Sequence, residues 1–499
     1  MSNISIKESL GRYIDAGFPI IYINSFEESK ADDLIKEAAC DRKIVEWNGA
    51  KGFVDFNTKA GFGLGDSSLS GTMHTLIDSD EIEGKILVIK DMHTLLDNMD
   101  VVSVLKDLST KISKGLESTI IMVSSIVNIP KELEKFITII EMDYLDTDEI
   151  KNVIINFIEE NELPEIGQVL LEEMALNFKG LSQFEIENLI ALAYATDGEF
   201  TRKDLKLIFE QKQQMIKKSG ILEMIPLKES IEDIGGLENL KEWIKKKAKV
   251  FKNINKALEF GVDMPKGVLI AGVPGCGKSL NAKAVANLFE VPLLRLDMGR
   301  LMGKYVGESE ANMRKAIALA EAISPCVLWV DELEKAFAGI GGQGGGAEVT
   351  TRLFGNFLTW MQEKDSPTFV VATANDITNL PPELLRKGRF DEIFYVGLPN
   401  EEERKKIFEI HLRKRRKSDL ESIDISSLVN KTNGYSGADI EGVVKESIES
   451  VFADGKTKVT TEDILDSIKN THSLSEIMKE PLKKMSEEYE NRKFKNASK

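Results

Sequence analysis

Short apolar runs alternate with longer helix-period segments in two blocks of the chain. In the first block the runs are PIIYI (19–23), KIVEW (43–47), KILVIK (85–90), TIIMVSS (119–125) and ITIIEM (137–142). In the second they are GVLIAGV (267–273), PLLRLD (292–297), CVLWVD (326–331), TFVVATA (368–374) and EIFYVGL (392–398). Near-continuous Val/Ile/Leu strands separated by helices predict parallel sheets covered on both faces. After each block the pattern changes. DEIKNVIINFIEEN and LSQFEIENLIALAYA lie within about 147–217, and EEERKKIFEIHLRKRRK and SGADIEGVVKESIESV within about 400–470. Their apolar positions recur three and four residues apart, as amphipathic helices require. Each α/β unit is therefore expected to lead into a small helical module.

The two blocks also repeat each other at an offset of about 250 residues. ILVIKDMH (86–93) matches VLWVDELE (327–334), and IIMVSSIVNIPKEL (120–133) matches VVATANDITNLPPEL (370–384). GLSQFEIENLI (180–190) matches GYSGADIEGVV (434–444), and FTRKDL (200–205) matches VTTEDI (459–464). Matches in one order with nearly constant spacing are not easily chance. A boundary is expected near 218–232, where a glycine and a proline interrupt the helical pattern.

Composition narrows the function. The 499 residues are 42% apolar and 29% charged, as in ordinary globular proteins, and their length predicts several domains. A net charge of −17 disfavours binding to nucleic acid, and the local basic run HLRKRRK (411–417) reads as the solvated face of a helix. Three dispersed cysteines, Cys40, Cys276 and Cys326, predict neither disulfides nor a zinc site. The first residues lack a signal-peptide pattern, and no apolar run is long enough for a membrane span. A cytoplasmic protein is expected, or a stromal one if the chain is organellar.

The second block carries the chemistry. Gly272, Val273, Pro274, Gly275, Cys276, Gly277, Lys278 and Ser279 form a complete GxxxxGK[ST] loop between a strand and the helix opened by Leu280. Glycines let backbone N–H groups converge on phosphates, Lys278 adds a charge for the β and γ phosphates of ATP, and Ser279 offers a hydroxyl to Mg²⁺. The strand VLWVD delivers Asp331 to hold Mg²⁺ and Glu332 to orient or deprotonate the attacking water. Alone, that pair is simply a polar strand cap; beside the phosphate loop it reads as catalytic. VVATAND places Asn375 at a neighbouring strand end, where an amide can hold the water or the γ-phosphate. LLRKGRFDE carries Arg386 and Arg389 on a short turn, suited to a neighbour's γ-phosphate or equally to pairing with Asp391 and Glu392.

Over about 230–470 these residues resemble the AAA subfamily of AAA+ ATPases. The resemblance implies an α/β P-loop NTPase sheet with a helical lid. EDIGGLENLK looks like the family's opening segment, with the backbone of Ile234 and Gly235 at adenine. GYSGADIE resembles its sensor-2 segment, with Gly437 and Ala438 at the nucleotide, and IFEIH puts His411 near the base or ribose, where a structural histidine is the other reading. The family also implies a homo-oligomer, usually a six-membered ring, acting on a polypeptide. MGKYVGESE is similar to its first pore loop, with Lys304, Tyr305 and Val306 on the substrate, and GIGGQGGGAE falls at the second. The segments GGLENLKEW, FGNFLTWMQEKDSP and ELLRKGRFDEIF resemble a branch of plastid and cyanobacterial AAA proteins whose N-terminal half lacks a P-loop.

In the first block each chemical element is missing while the strand pattern persists. INSFEES stands where GVPGCGKS stands, and its Glu27 and Glu28 would repel phosphate. KDMH supplies Asp91 with no glutamate after it, and NIPKELEKF has no arginine. In LSQFEIE, Gln183 and Phe184 replace Gly–Ala and would crowd a nucleotide. The expected organisation is a degenerate AAA-like α/β domain at 1–146 and a lid-like helical module at 147–217. An ATPase domain at 218–400, its lid at 401–472 and a charged tail at 473–499 follow. An unrelated α/β domain sharing only the layer architecture is the alternative for the first part. The function expected is ATP-driven protein remodelling; a switch or scaffold that docks a partner on the inactive half is the second reading.

Overall fold

The computed structural model describes residues 6–499 apart from 26, 62–67, 79–81, 125, 126, 128, 143, 219, 302–307, 338–345, 378, 379 and 387. They form two compact units, Met1–Arg202 and Lys203–Lys499. No helix among the described residues is long and apolar enough to cross a membrane.

The sheet of the first unit contains β1 (Ile20–Asn24), β2 (Lys43–Asn48), β3 (Gly52–Asp55), β4 (Lys85–Lys90), β5 (Thr119–Ser124) and β6 (Ile137–Glu141), in the order β3-β2-β4-β5-β1-β6. All neighbours run parallel except β3, a hairpin partner of β2. Side chains alternate across a strand, so each apolar run feeds two cores. Ile20, Tyr22, Leu87, Ile89, Ile120 and Met122 meet the helix Met99–Ile112 on one face. Ile21, Ile23, Ile86, Val88, Ile121 and Val123 meet the helix Glu28–Ala39 on the other. Three helices follow, Thr147–Glu160, Gln168–Phe178 and Gln183–Asp197. The first and third begin with capping boxes, Asp146 with Glu149 and Ser182 with Glu185, which satisfy the free N–H groups of the first turn.

The second sheet contains β7 (Leu222–Ile225), β8 (Gly267–Gly272), β9 (Leu293–Leu296), β10 (Cys326–Val330), β11 (Thr368–Ala374), β12 (Glu392–Val396) and β13 (Lys495–Asn496). Its order is β13-β12-β8-β11-β10-β9-β7, with only β7 antiparallel to its neighbour. The parallel runs β6-β1-β5-β4-β2 and β12-β8-β11-β10-β9 have the same order: fifth, first, fourth, third, second. The lid packs Phe408, Leu412, Ile440, Val443 and Val444 into its own core.

The helix Asp204–Lys218 closes the lid-like sequence and groups with the second compact unit, where Gln213 Nε2 donates to the Met224 carbonyl of β7 at 2.6 Å. One expectation is corrected by packing. Residues 473–499 are not a solvated tail. In the helix Lys479–Asn491 only Leu482 and Tyr489 are buried, a sparse signal inside a charged sequence. Tyr489 stacks on Tyr395 at 4.2 Å, and β13 then extends the sheet beside β12. Ala497 N donates to the Tyr395 carbonyl at 2.8 Å, and the Ala497 carbonyl accepts from Leu240 N at 3.2 Å.

Candidate active site

β8 ends at Gly272 and a helix begins at Lys278, so the loop between them sits at the sheet's C-terminal edge and opens on a helix N-terminus. Its glycines are required by geometry. At φ 145°, a Cβ on Gly272 would lie 2.1 Å from the Val396 carbonyl oxygen. Gly277 caps the helix with a left-handed φ of 85°. A Cβ on Gly275 would fall 3.0 Å from both Ala438 Cβ and Ser436 Oγ, because the lid lies against the loop. Ala438 N donates to the Gly275 carbonyl at 2.9 Å. Lys278 is buried; Nζ donates to the carbonyls of Gly272 and Val273 at 2.9 and 2.7 Å, and burial lowers its pKa to about 8. Burial pushes the Cys276 thiol up to about 11, so it is no thiolate nucleophile near neutrality.

Asp331 and Glu332 follow β10 directly. Ser279 Oγ lies 3.4 Å from Asp331 Oδ1, and Arg295 Nη2 lies 3.5 Å from Oδ2. A hydroxyl and a carboxylate converging in this way form a hard oxygen set that fits Mg²⁺. Glu332 takes a left-handed φ of 50°, and its carboxylate pairs with Lys335 at 2.5 Å. Asn375 stands at the end of β11 and donates through backbone and side chain to Glu334, whose carboxyl is nonetheless raised by burial. The sequence reading missed Arg295, Glu334, Lys335 and Thr373. For Thr373 a signal existed: it lies two residues before Asn375 on a strand, hence on the same face.

A cavity of ≈ 410 Å³ adjoins the loop and is lined by Ile234, Gly235, Gly275, Cys276, Gly277, Leu280, His411, Gly437 and Ala438 among others. These residues, dispersed along the chain, were all expected at the nucleotide. Gly235 has no room for a side chain, since a Cβ would lie 2.4 Å from Ile407 Cγ1. Leu237 N donates to Glu403 Oε1 at 2.8 Å, and Lys414 pairs with Asp233 at 2.8 Å, which fastens the opening segment to the lid. Lys414, Arg415 and Arg416 of the basic run are each paired with a carboxylate. Burial depresses the His411 pKa. Arg386 and Arg389 do not line the cavity; Arg389 donates to the Glu383 carbonyl on its own turn. Lys304, Tyr305 and Val306 lie outside the described residues, as does most of the glycine-rich segment.

Residues 268–398 match the ATPase family associated with various cellular activities (AAA), and 422–466 match the AAA+ lid domain. Residues 6–142 and 148–219 match the N-terminal and second domains of SpoVK-like AAA ATPases. The "Uncharacterized AAA domain-containing protein ycf46" of Guillardia theta is 39% identical over 468 residues, 93% of this chain and 90% of the relative. The chain belongs to the AAA family of ATPases. The proteins of the same name from Pyropia yezoensis and Trieres chinensis are 37% and 34% identical, over 93% and 95% of this chain and 94% of each relative. Membership implies nucleotide binding and, for the family generally, ATP hydrolysis on an α/β domain followed by a helical lid.

The AAA chain carries a second, altered version of this edge in its first unit. Ser124 ends β5 opposite Asn24, as Ala374 ends β11 opposite Ala271. Counting back, Met122 and its partner Ile89 correspond to Ala372 and its partner Val330. The next residues, Lys90 and Asp331, are therefore counterparts, and Asp91 matches Glu332 instead of the metal-side aspartate. Their φ angles, 52° and 50°, agree. Glu28 opens its helix as Lys278 does, and Lys90 Nζ lies 2.9, 3.5 and 3.8 Å from Asp32, Glu28 and Glu46. Phe184 does not crowd the site; it is 71% exposed. The Gln183 N–H, at the start of the lid-like helix, instead donates to both oxygens of Glu27, at 2.9 and 3.1 Å. Burial raises the Glu27 carboxyl to about 7.

Proposed function

We propose that the second unit hydrolyses ATP with Mg²⁺ and that the first binds no nucleotide. The supporting observation is the approach of Ser279 to Asp331, with Glu332 next to it, at the end of a loop whose Cys276 and Gly277 line one cavity that the lid borders through Gly437 and Ala438. Backbone N–H groups of the loop and Lys278 would bind the phosphates, while Ser279 and Asp331 hold Mg²⁺. The bound metal neutralises charge on the phosphate oxygens. Glu332 accepts a proton from water as the water oxygen bonds to the γ-phosphorus and the β–γ bridging bond breaks toward ADP. Asn375 orients that water. Arg386 and Arg389 act on the site of a neighbouring copy, which calls for a homo-oligomeric ring, six-membered as the resemblance implies. Lys304, Tyr305 and Val306 grip a polypeptide client in its channel. The cytoplasm, or the stroma of an organelle, is the proposed setting.

Glu332→Gln tests this reading. It is expected to retain ATP and to lose turnover roughly 10²–10⁴-fold, the usual share of a positioned base. Wild-type turnover would reject Glu332 as that base. Clients retained on the ATP-bound variant, identified by mass spectrometry, would establish the substrate class; failure to retain any polypeptide counts against remodelling.

A further inference from the structure

Thr373 lies on β11 and is buried. Its hydroxyl is used twice: Oγ1 donates to Asp331 Oδ1 at 2.6 Å and accepts from Glu332 N at 3.2 Å. A hydroxyl has one donor and two acceptor positions, so both bonds form together. Asp331 Oδ1 is also the oxygen that Ser279 approaches. One side chain thus touches the carboxylate assigned to the metal and the backbone of the residue assigned to the water.

The first unit supplies an internal control. By strand register Val123 occupies the place of Thr373, and both residues are buried. There the left-handed turn still forms, with Asp91 N donating to the Val123 carbonyl at 3.0 Å. The turn therefore does not need a hydroxyl. What the hydroxyl adds in the second unit is a bond to a carboxylate that the first unit lacks, because Lys90 stands in its place.

We propose that Thr373 is a positioning residue for ATP hydrolysis, orienting the Asp331 carboxylate toward Mg²⁺ and setting the Glu332 backbone beside it. This rests on reading Asp331 as a metal-holding residue. Without the donor, Oδ1 loses its short bond and the carboxylate keeps the longer contact of Oδ2 with Arg295, which does not fix Oδ1 toward Ser279.

The test uses the full chain with Thr373→Val and Thr373→Ser, titrating Mg²⁺ at fixed ATP and measuring ADP affinity with Mg²⁺ and with EDTA. Thr373→Val is expected to raise the Mg²⁺ needed for half-maximal turnover about tenfold and to lower kcat by a similar factor, the scale of one bond to a charged group. ADP affinity in EDTA is expected to stay within about twofold, and Thr373→Ser to restore the Mg²⁺ requirement and kcat. The proposal is overturned if Thr373→Val stays within about twofold of the parent in both Mg²⁺ requirement and kcat, or if Thr373→Ser is equally impaired. Should the valine variant not fold, Thr373→Ala against Thr373→Ser decides, since both lose the methyl and only one keeps the hydroxyl. Asp331→Asn in the same titration separates the premises. A shift there without one in the Thr373 variants sinks only Thr373, whereas no shift sinks the metal reading and this inference with it.

Discussion

At the working edge of the second unit a lysine opens the helix and an aspartate follows the strand; at the matching edge of the first, a glutamate opens the helix and a lysine ends the strand. The sheet order beneath is the same. Strand interiors such as Ile20–Ile23 and Val268–Ile270 are fully buried, and the hydrophobic burial that holds each sheet together lies there. Edge residues contribute little to it, so their charges can reverse without altering the layer order. Reversal still has a consequence. Two adjacent carboxylates disfavour a phosphate and Lys90 disfavours Mg²⁺, which supports the proposal that the first unit binds no nucleotide. The first unit satisfies those charges internally, with Lys90 among its own carboxylates and Glu27 on the N–H that starts the lid-like helix. Fold and chemistry have separated along one chain.

The largest effect expected from this contrast is on nucleotide stoichiometry. Calorimetry on the full chain is predicted to find one ATP site, and Lys278→Ala to weaken it roughly 100-fold, as loss of a buried charge-assisted contact does. A residual tight site in that variant would place nucleotide in the first unit and end the contrast.

Next is the sheet edge, where among the described residues only the second unit has a strand beyond the fifth of its parallel run. Tyr489→Ala is expected to destabilise the second unit by about 3 kcal/mol, as deletion of a buried ring does, and to leave the first unit's transition in place. Tyr489→Phe is the control. Among the described residues the Tyr489 hydroxyl is buried without a hydrogen-bond partner, so its removal is expected not to destabilise the second unit in thermal melts. A solvated tail would show no loss with Tyr489→Ala.

The smallest effect concerns pH. The Glu27 carboxyl is raised to about 7 mainly by burial, opposed by the Gln183 N–H and Lys30 and reinforced by Glu185 and Glu187. A pKa above the unfolded value means that the fold favours the protonated form. That contribution is complete below the unfolded pKa of 4.5 and is lost as pH rises through about 7. Glu27→Gln keeps an acceptor for the N–H and carries no charge. It is expected to stabilise the first unit at pH 8 by roughly 1–2 kcal/mol after allowance for solvent screening, and to flatten melting temperature between pH 5 and 8. An unchanged slope would mean that Glu27 titrates as an exposed carboxylate does.

Much of the contrast was legible beforehand. The strand runs, the helical modules after them and the loop Gly272–Ser279 are local patterns whose period or spacing carries the physics. The hidden parts depend on contacts between distant residues. Asp91 looked like a surviving metal-side aspartate because it is the acid nearest the strand end; the ungapped match of ILVIKDMH with VLWVDELE and the pairing of Ile89 with Met122 both put Lys90 in that place. Phe184 looked obstructive because the direction of a side chain cannot be read from its identity, and it points to solvent. The last helix reads as charged throughout, and only its packing against Tyr395 reveals the two positions that matter.

By itself the sequence determined two repeated α/β cores and a single phosphate loop, since buried strands and glycine-dependent turns are specified over a few neighbouring residues. Only the tertiary structure decided that Thr373 reaches both Asp331 and Glu332, that Glu27 meets Gln183, and that residues 495–496 extend the sheet. Those contacts join segments from about 40 to 160 residues apart, or dock a two-residue strand on a distant one, and no period or spacing along the chain encodes such meetings. They exist because folding brings strand ends and helix starts to one edge, where buried polar groups must find partners.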